Sequence, residues 1–170
     1  NAERPRLSTG FNVIDDALDG GLFTGLYVIG AISSLGKTTL TLQIADNLAQ
    51  QGRDVLFFSL EQSKNDLISK SISRETYIHC LKNNIDVNNA KTNLSIIDGR
   101  RWKDFNKIEQ DVVKNAFAKY ENYAKHLFIY EGIGNISVDE IRDSIKKHIA
   151  ITENERPIVF IDYLQILKAC

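Results

Sequence analysis

Ala31-Ile32-Ser33-Ser34-Leu35-Gly36-Lys37-Thr38-Thr39 follows directly on the apolar run Leu26-Tyr27-Val28-Ile29 and directly precedes an amphipathic stretch. Ala31 to Thr38 fit the phosphate-loop pattern G-x-x-x-x-G-K-[ST], known as Walker A, with the small residue Ala31 in place of the first glycine. Each residue type has a physical reason to be there. Consecutive backbone N–H groups at a helix N-terminus suit a phosphate, and Gly36 has no side chain to obstruct its approach. Lys37 brings a point charge toward the β- and γ-phosphates, and the Thr38 hydroxyl is a hard oxygen ligand for Mg²⁺. The whole stretch Ala31 to Thr39 is therefore the candidate nucleotide site, and it reads as a turn between a strand over 26–30 and a helix.

Working outward, that helix runs from about Thr38 to Gln50, with Leu42, Ala45, Leu48 and Ala49 on one face, and stops at Gly52. Asp54 to Leu60 is a continuous apolar run of the kind expected for a strand buried on both faces of a parallel sheet. Toward the N-terminus, Thr9-Gly10-Phe11 opens a short amphipathic turn with Ile14 and Leu18, closed by Gly20-Gly21. Toward the C-terminus the pattern is helical from Lys64 to Cys80, and residues 83–104 are too rich in Asn and Asp to assign. Ile108, Val112, Ala116, Phe117 and Tyr120 recur at helical spacing, and His126 to Tyr130 reads as a short strand. Ser137 and Glu140 form a capping box for a helix with an apolar stripe of Val138, Ile141, Ile145 and Ile149. Pro157 to Ile161 makes a final buried strand ending at Asp162. Alternating strands and helices predict a doubly wound α/β domain, with ligands at the carboxyl ends of its strands.

Three further residues fall where such a ligand would lie. Asp162, delivered at the end of an apolar strand in the Walker B manner, is a second anchor for Mg²⁺. Glu61 ends the strand next in sequence to the loop helix. It is either the base that orients and deprotonates the attacking water or a solvent-facing, helix-capping glutamate helped by the positive end of the next helix. Gln165, a polar side chain in an apolar run, is either a sensor of the γ-phosphate or an ordinary surface glutamine.

Composition narrows the function classes. At 170 residues and 43% hydrophobic content the chain can bury one substantial core, and its net charge of −1 announces no nucleic-acid partner by global field. Cys80 and Cys170 form no CxxC pair and suit a reduced compartment. No apolar run approaches the roughly 20 residues that span a bilayer, so a soluble, cytoplasmic protein without membrane partners is expected. His79, His126 and His148 have no metal-ligand spacing. Arg100-Arg101-Trp102 could meet DNA phosphates and stack on a base, but reads better as a basic loop with a tucked tryptophan. Asn1-Ala2 has the look of a tag remnant, residues 3–24 of a lead-in, and 25–170 of an ATPase domain that stops short.

Taken together, these segments resemble the DnaB-type replicative helicases, hexameric motors with a RecA-like core. Thr9-Gly10-Phe11 with Leu18-Asp19-Gly20-Gly21 resembles their lead-in, and Gly30 to Thr39 their Walker A. Phe57-Phe58-Ser59-Leu60-Glu61-Gln62-Ser63 resembles the segment carrying their catalytic glutamate, with Gln62 where the family often has Met. Asp162-Tyr163-Leu164-Gln165 is similar to their Walker B and coupling motif. The resemblance implies a RecA-like P-loop NTPase core, C-terminally truncated, with a mostly parallel sheet flanked by helices. It implies ATP and Mg²⁺ as ligands, Glu61 and Lys37 as catalytic residues, and Gln165 as the residue coupling γ-phosphate to DNA. It also implies single-stranded DNA and a homohexamer as partners, and the similarity extends to primase-helicase fusions of mobile elements, so a primase is a further expected partner. A recombination ATPase of the RecA/RadA kind and a nucleotide-gated loader that unwinds nothing are the competing readings.

Overall fold

The computed structural model describes residues 6–32, 34–132 and 136–162. Its centre is β1 (Val55–Ser59), every residue of which is buried. β1 lies between β2 (Leu127–Glu131) and β3 (Ile158–Asp162) in a three-stranded parallel sheet of order β2-β1-β3. The alternation of side chains along β1 divides the core in two. Val55 and Phe57 face the helix α2 (Lys37–Gln50), whose Leu42, Ala45, Leu48 and Ala49 are buried against them. Leu56 and Phe58 face the opposite side, where α6 (Val138–Thr152) contributes Ile141 and Ile145. Aromatic rings continue both layers across the sheet, Phe57 stacking on Phe160 at 5.7 Å and Phe58 on Tyr130 at 4.7 Å. This is the expected α/β sandwich.

The lead-in and the helices Lys64–Lys82 and Lys107–Ala124 pack on α2, and the short elements between those two helices pack on them. The lead-in holds α1 (Asn12–Ala17) and an isolated antiparallel bridge between Leu7 and Leu22. At Gly21, φ is +115° and a Cβ would sit 2.5 Å from the Leu7 carbonyl oxygen, so a side chain there would break the bridge. Thr9 is fully buried; its N–H and hydroxyl both donate to Asp15, and its carbonyl accepts from Asn47 Nδ2 of α2 at 2.8 Å. The lead-in is thereby tied to the helix that carries the phosphate loop. α3 (Lys64–Lys82) crosses α2 through a buried polar layer in which Asp46 pairs with Arg74 and accepts from the Ser71 hydroxyl at 2.7 Å. Residues 83–104, unassigned from sequence, form two 3₁₀ turns (Val87–Asn89 and Gly99–Asp104) and α4 (Asn93–Ile97), each started by a local side-chain cap. α5 (Lys107–Ala124) follows, opened by an Asn106–Glu109 capping box.

The structure differs from the sequence reading in three places. Residues 26–30 carry no regular secondary structure and join no sheet among the described residues, and Leu26 and Val28 are 91% and 76% exposed. An apolar run becomes a strand only when a neighbour supplies its hydrogen-bond ladder, and β3 pairs on its β1 side alone among the described residues. For the same reason most of β3 is half-buried rather than buried. On α5, Ile108 and Phe117 are exposed, and the buried stripe is instead Val112, Val113, Ala116 and Tyr123. On α6, Val138 is exposed and His148 is buried.

His148 is explained by Asp54, just before β1. Asp54 accepts from Asn154 Nδ2 at 2.9 Å and lies 3.0 Å from His126 Nδ1 and 3.3 Å from His148 Nε2. Burial pushes the Asp54 carboxyl up, but these three partners outweigh it and hold its pKa below the usual aspartate value. A carboxylate whose folded pKa is depressed stabilises the fold above the unfolded value, about 3.9, and ceases to do so as pH falls through the folded value. Asp54→Ala should therefore lower unfolding free energy by about 1–3 kcal/mol at pH 7. In urea titrations its gap from the parent protein should close as pH falls below about 4.

Candidate nucleotide site

The parallel register places Ser59 opposite Glu131 on one side and Asp162 on the other, so three polar residues end the three strands at one level. Above that level sits the phosphate loop. Gly36 is the N-cap of α2 in the left-handed region, φ +84°, and nothing lies within 4 Å of where a Cβ would project. Leu35 N–H donates to the Ile32 carbonyl at 3.4 Å, and Ser34 is also left-handed, φ +66°. Lys37 Nζ donates to the Ala31 carbonyl at 3.3 Å, folding the ammonium back across the loop. Ala31, Ile32, Ser34, Leu35, Gly36 and Thr39 are exposed, while Lys37 and Thr38 are half-buried.

The loop and the last strand meet directly: Thr38 Oγ1 donates to Asp162 Oδ2 at 2.6 Å, and Asp162 is only 7% exposed. The two oxygens expected to flank one divalent cation are thus in contact, although 124 positions separate them in the chain. The start of α2 is equally suited to an anion. Side chains cap the other long helices, α3 by Ser63, α5 by Asn106 and α6 by Ser137, but no side chain caps α2. The positive end of its dipole lies at Gly36, where a Cβ would meet nothing within 4 Å. The residues present therefore fit both a phosphate chain and Mg²⁺.

Glu61 is exposed, two residues beyond the end of β1. The capping alternative does not describe it, because the cap of α3 is Ser63, whose hydroxyl accepts from Asp66 N–H at 3.1 Å. A second acceptor at this helix start is Glu131, whose Oε2 accepts from Lys64 N–H at 2.9 Å. Sequence reading passed over Glu131, since only the fold brings the end of β2 beside the start of α3. Ser59 Oγ donates to the Gln62 carbonyl at 2.6 Å and lies 3.2 Å from its N–H, closing the turn that carries Glu61. Gln165 and Ser33 lie outside the described residues.

The other sequence candidates take structural roles. His126 and His148 serve Asp54, as above. Arg100 and Arg101 both pair with Asp98, and Trp102 is half-buried with its ring edge-on to Phe105 and the Lys114 ammonium over it. Cys80 is a buried free thiol. Among the described residues no helix is long and apolar enough to cross a membrane.

Comparison with known proteins adds a second line of observation. The model of the DnaB-like helicase C-terminal domain matches residues 6–170. A probable replicative DNA helicase of Trieres chinensis is 30% identical over 96% of this chain and 31% of its own length. The replicative helicase DnaB of Helicobacter pylori is 29% identical over 95% of this chain and 29% of its own. The DNA repair protein RadA of Campylobacter jejuni is 52% identical, but over 35% of this chain and 14% of its own length. Among solved structures, a DnaB-like replicative helicase studied with its interactions with primase superposes over 100% of this chain and 37% of its own, with TM-score 0.78 and 25% identity. The chain thus spans about a third of the length of the helicases it matches.

The Thr38–Asp162 contact can be tested without a ligand. Thr38→Val keeps the shape but leaves a nearly buried carboxylate oxygen without its donor. Urea unfolding of the nucleotide-free protein should show a loss of about 1–3 kcal/mol.

Proposed function

The chain belongs to the DnaB-like helicase C-terminal domain family, and from that premise we propose that it is the ATP-binding and hydrolysing core of a replicative DNA helicase, coupling ATP hydrolysis to translocation on single-stranded DNA. The observation that carries the reading is the contact of Thr38 with Asp162 directly beneath an uncapped, glycine-started helix. A chance loop of the right spelling would have no reason to meet the acidic end of a distant strand.

Each residue has a role in that reaction. Residues Ala31 to Thr39, including Ser33, wrap the phosphate chain of ATP with main-chain N–H groups, and Lys37 moves from the Ala31 carbonyl onto the β/γ oxygens. Thr38 and Asp162 would hold Mg²⁺, which would supply charge neutralisation to the phosphate chain. Glu61 accepts a proton from water as the water oxygen bonds to the γ-phosphorus and the bond to the ADP oxygen breaks. Gln165 senses the γ-phosphate and passes its presence or loss toward DNA. The working assembly is a homohexameric ring in the cytoplasm. Primase is a partner by extension from the solved DnaB-like relative.

The RadA similarity favours a second reading, a recombination or repair ATPase. It covers a window of 60 residues, whereas the helicases match nearly the whole chain. Unwinding of a forked duplex, as against branch migration alone, separates the two.

In the full-length protein, Lys37→Ala should abolish binding of a fluorescent ATP analogue. Glu61→Gln should bind it normally yet hydrolyse ATP about 10²- to 10⁴-fold more slowly. Normal turnover by the Glu61→Gln protein would exclude Glu61 as the base.

A further inference from the structure

Glu61 occupies an unusual place for a group that has to aim a water molecule. It is exposed, it lies in a bend between the end of β1 and the cap of α3, and it belongs to no regular element. A carboxylate on such a bend is only as well placed as its backbone.

That backbone is held from both sides by side chains that have no other evident duty. On the strand side, Ser59 is fully buried, yet its hydroxyl is spent on a single residue: it donates to the Gln62 carbonyl at 2.6 Å and accepts from the Gln62 N–H at 3.2 Å. This closes a ring around Leu60, Glu61 and Gln62, a local side-chain turn of the kind serine favours. The ring is anchored in the sheet, since Leu60 N–H donates to the Asp162 carbonyl at 2.8 Å and Gly132 N–H to the Ser59 carbonyl at 2.9 Å. On the helix side, Glu131 Oε2 accepts from Lys64 N–H at 2.9 Å, at the positive end of α3. The Gln62 side chain is also held, by Lys70 Nζ at 2.6 Å.

We propose that Ser59 and Glu131 are positioning residues for Glu61: they brace the turn from its two ends and set where its carboxylate points. The inference rests on the reading of Glu61 as the general base. It assigns Glu131 no proton transfer; the part asked of it is that Oε2 accept from the Lys64 N–H. What is required of Glu131 is an acceptor at that point, which a glutamine oxygen also supplies.

The test is steady-state ATP hydrolysis by the full-length protein with single-stranded DNA, beside equilibrium binding of a fluorescent ATP analogue. Ser59→Ala and Glu131→Ala should lower kcat between about ten- and a hundredfold, while nucleotide affinity, set by the loop at 31–39, stays unchanged. Glu131→Gln should restore kcat to within about twofold of the parent protein, since the same hydrogen bond forms. A merely structural role would lower thermal stability without splitting kcat from affinity. Glu131 is exposed, so its variants fold irrespective of the buried Ser59→Ala change and decide the matter alone if that protein fails to fold. Parental kcat in Glu131→Ala, with Glu61→Gln inactive, overturns the brace and leaves the base intact. Glu131→Gln as slow as Glu131→Ala also overturns it, because the charge itself would then be needed. Full turnover by Glu61→Gln overturns the underlying assignment and the brace with it.

Discussion

Strand β1 is the constraint on which the rest of the molecule depends. Its five residues are buried on both faces and bonded along both edges, so neither the pairing with β2 nor that with β3 can slip without exposing phenylalanines to water. A slip of one residue would turn Phe57 and Phe58 onto the wrong layers. The fixed register sets Glu131, Ser59 and Asp162 at a common height, and everything chemical in the domain is arranged about that line. The phosphate loop reaches it from above through Thr38, and the turn with Glu61 leaves it from Ser59.

The loop is positioned in a way that its own sequence does not suggest. The apolar run before it contributes nothing to the sheet, so the loop is held by the helix that follows it. α2 is packed on β1 through Leu42, Ala45 and Leu48, clasped by the lead-in through Asn47, and joined to α3 through Asp46 and Arg74. Buried charge of this sort is costly to leave unpaired, and removing one partner typically loses about 3–5 kcal/mol. The arrangement joins the loop to the turn that holds Glu61, because α2 begins at Lys37 and α3 begins just after Glu61.

Much of this was legible in the chain. The helix that starts at Lys37 behind Gly36, the unbroken apolar stretch at 55–58 and the capping box at Ser137 each carry their cause locally, and the structure has all three. The contact of Thr38 with Asp162 was legible as two halves of one chemistry. What could not be read were matters of partnership. The run at 26–30 has the composition of a strand and no neighbour. The stripe of α5 rotates toward Val113 and Tyr123 because α3 packs on that side, which periodicity alone does not reveal. His148 reads as a structural or a surface group until Asp54 is brought beside it, and Glu131 looks like a strand-end residue until α3 starts beside it.

The sheet order also bears on how the domain comes into being. Each ladder joins segments far apart: β1 pairs with residues about 70 positions later in β2 and about 100 later in β3. At synthesis rates of roughly 5–20 residues per second, the apolar core of β1 therefore emerges about 4–14 s before either neighbour exists. During that interval α2, and then Leu67 of α3 and Tyr123 of α5, can cover one face of the strand. The other face must await α6. Folding of this domain is on that account a late event with slow, non-local closure, and the nascent chain is a natural client for chaperones.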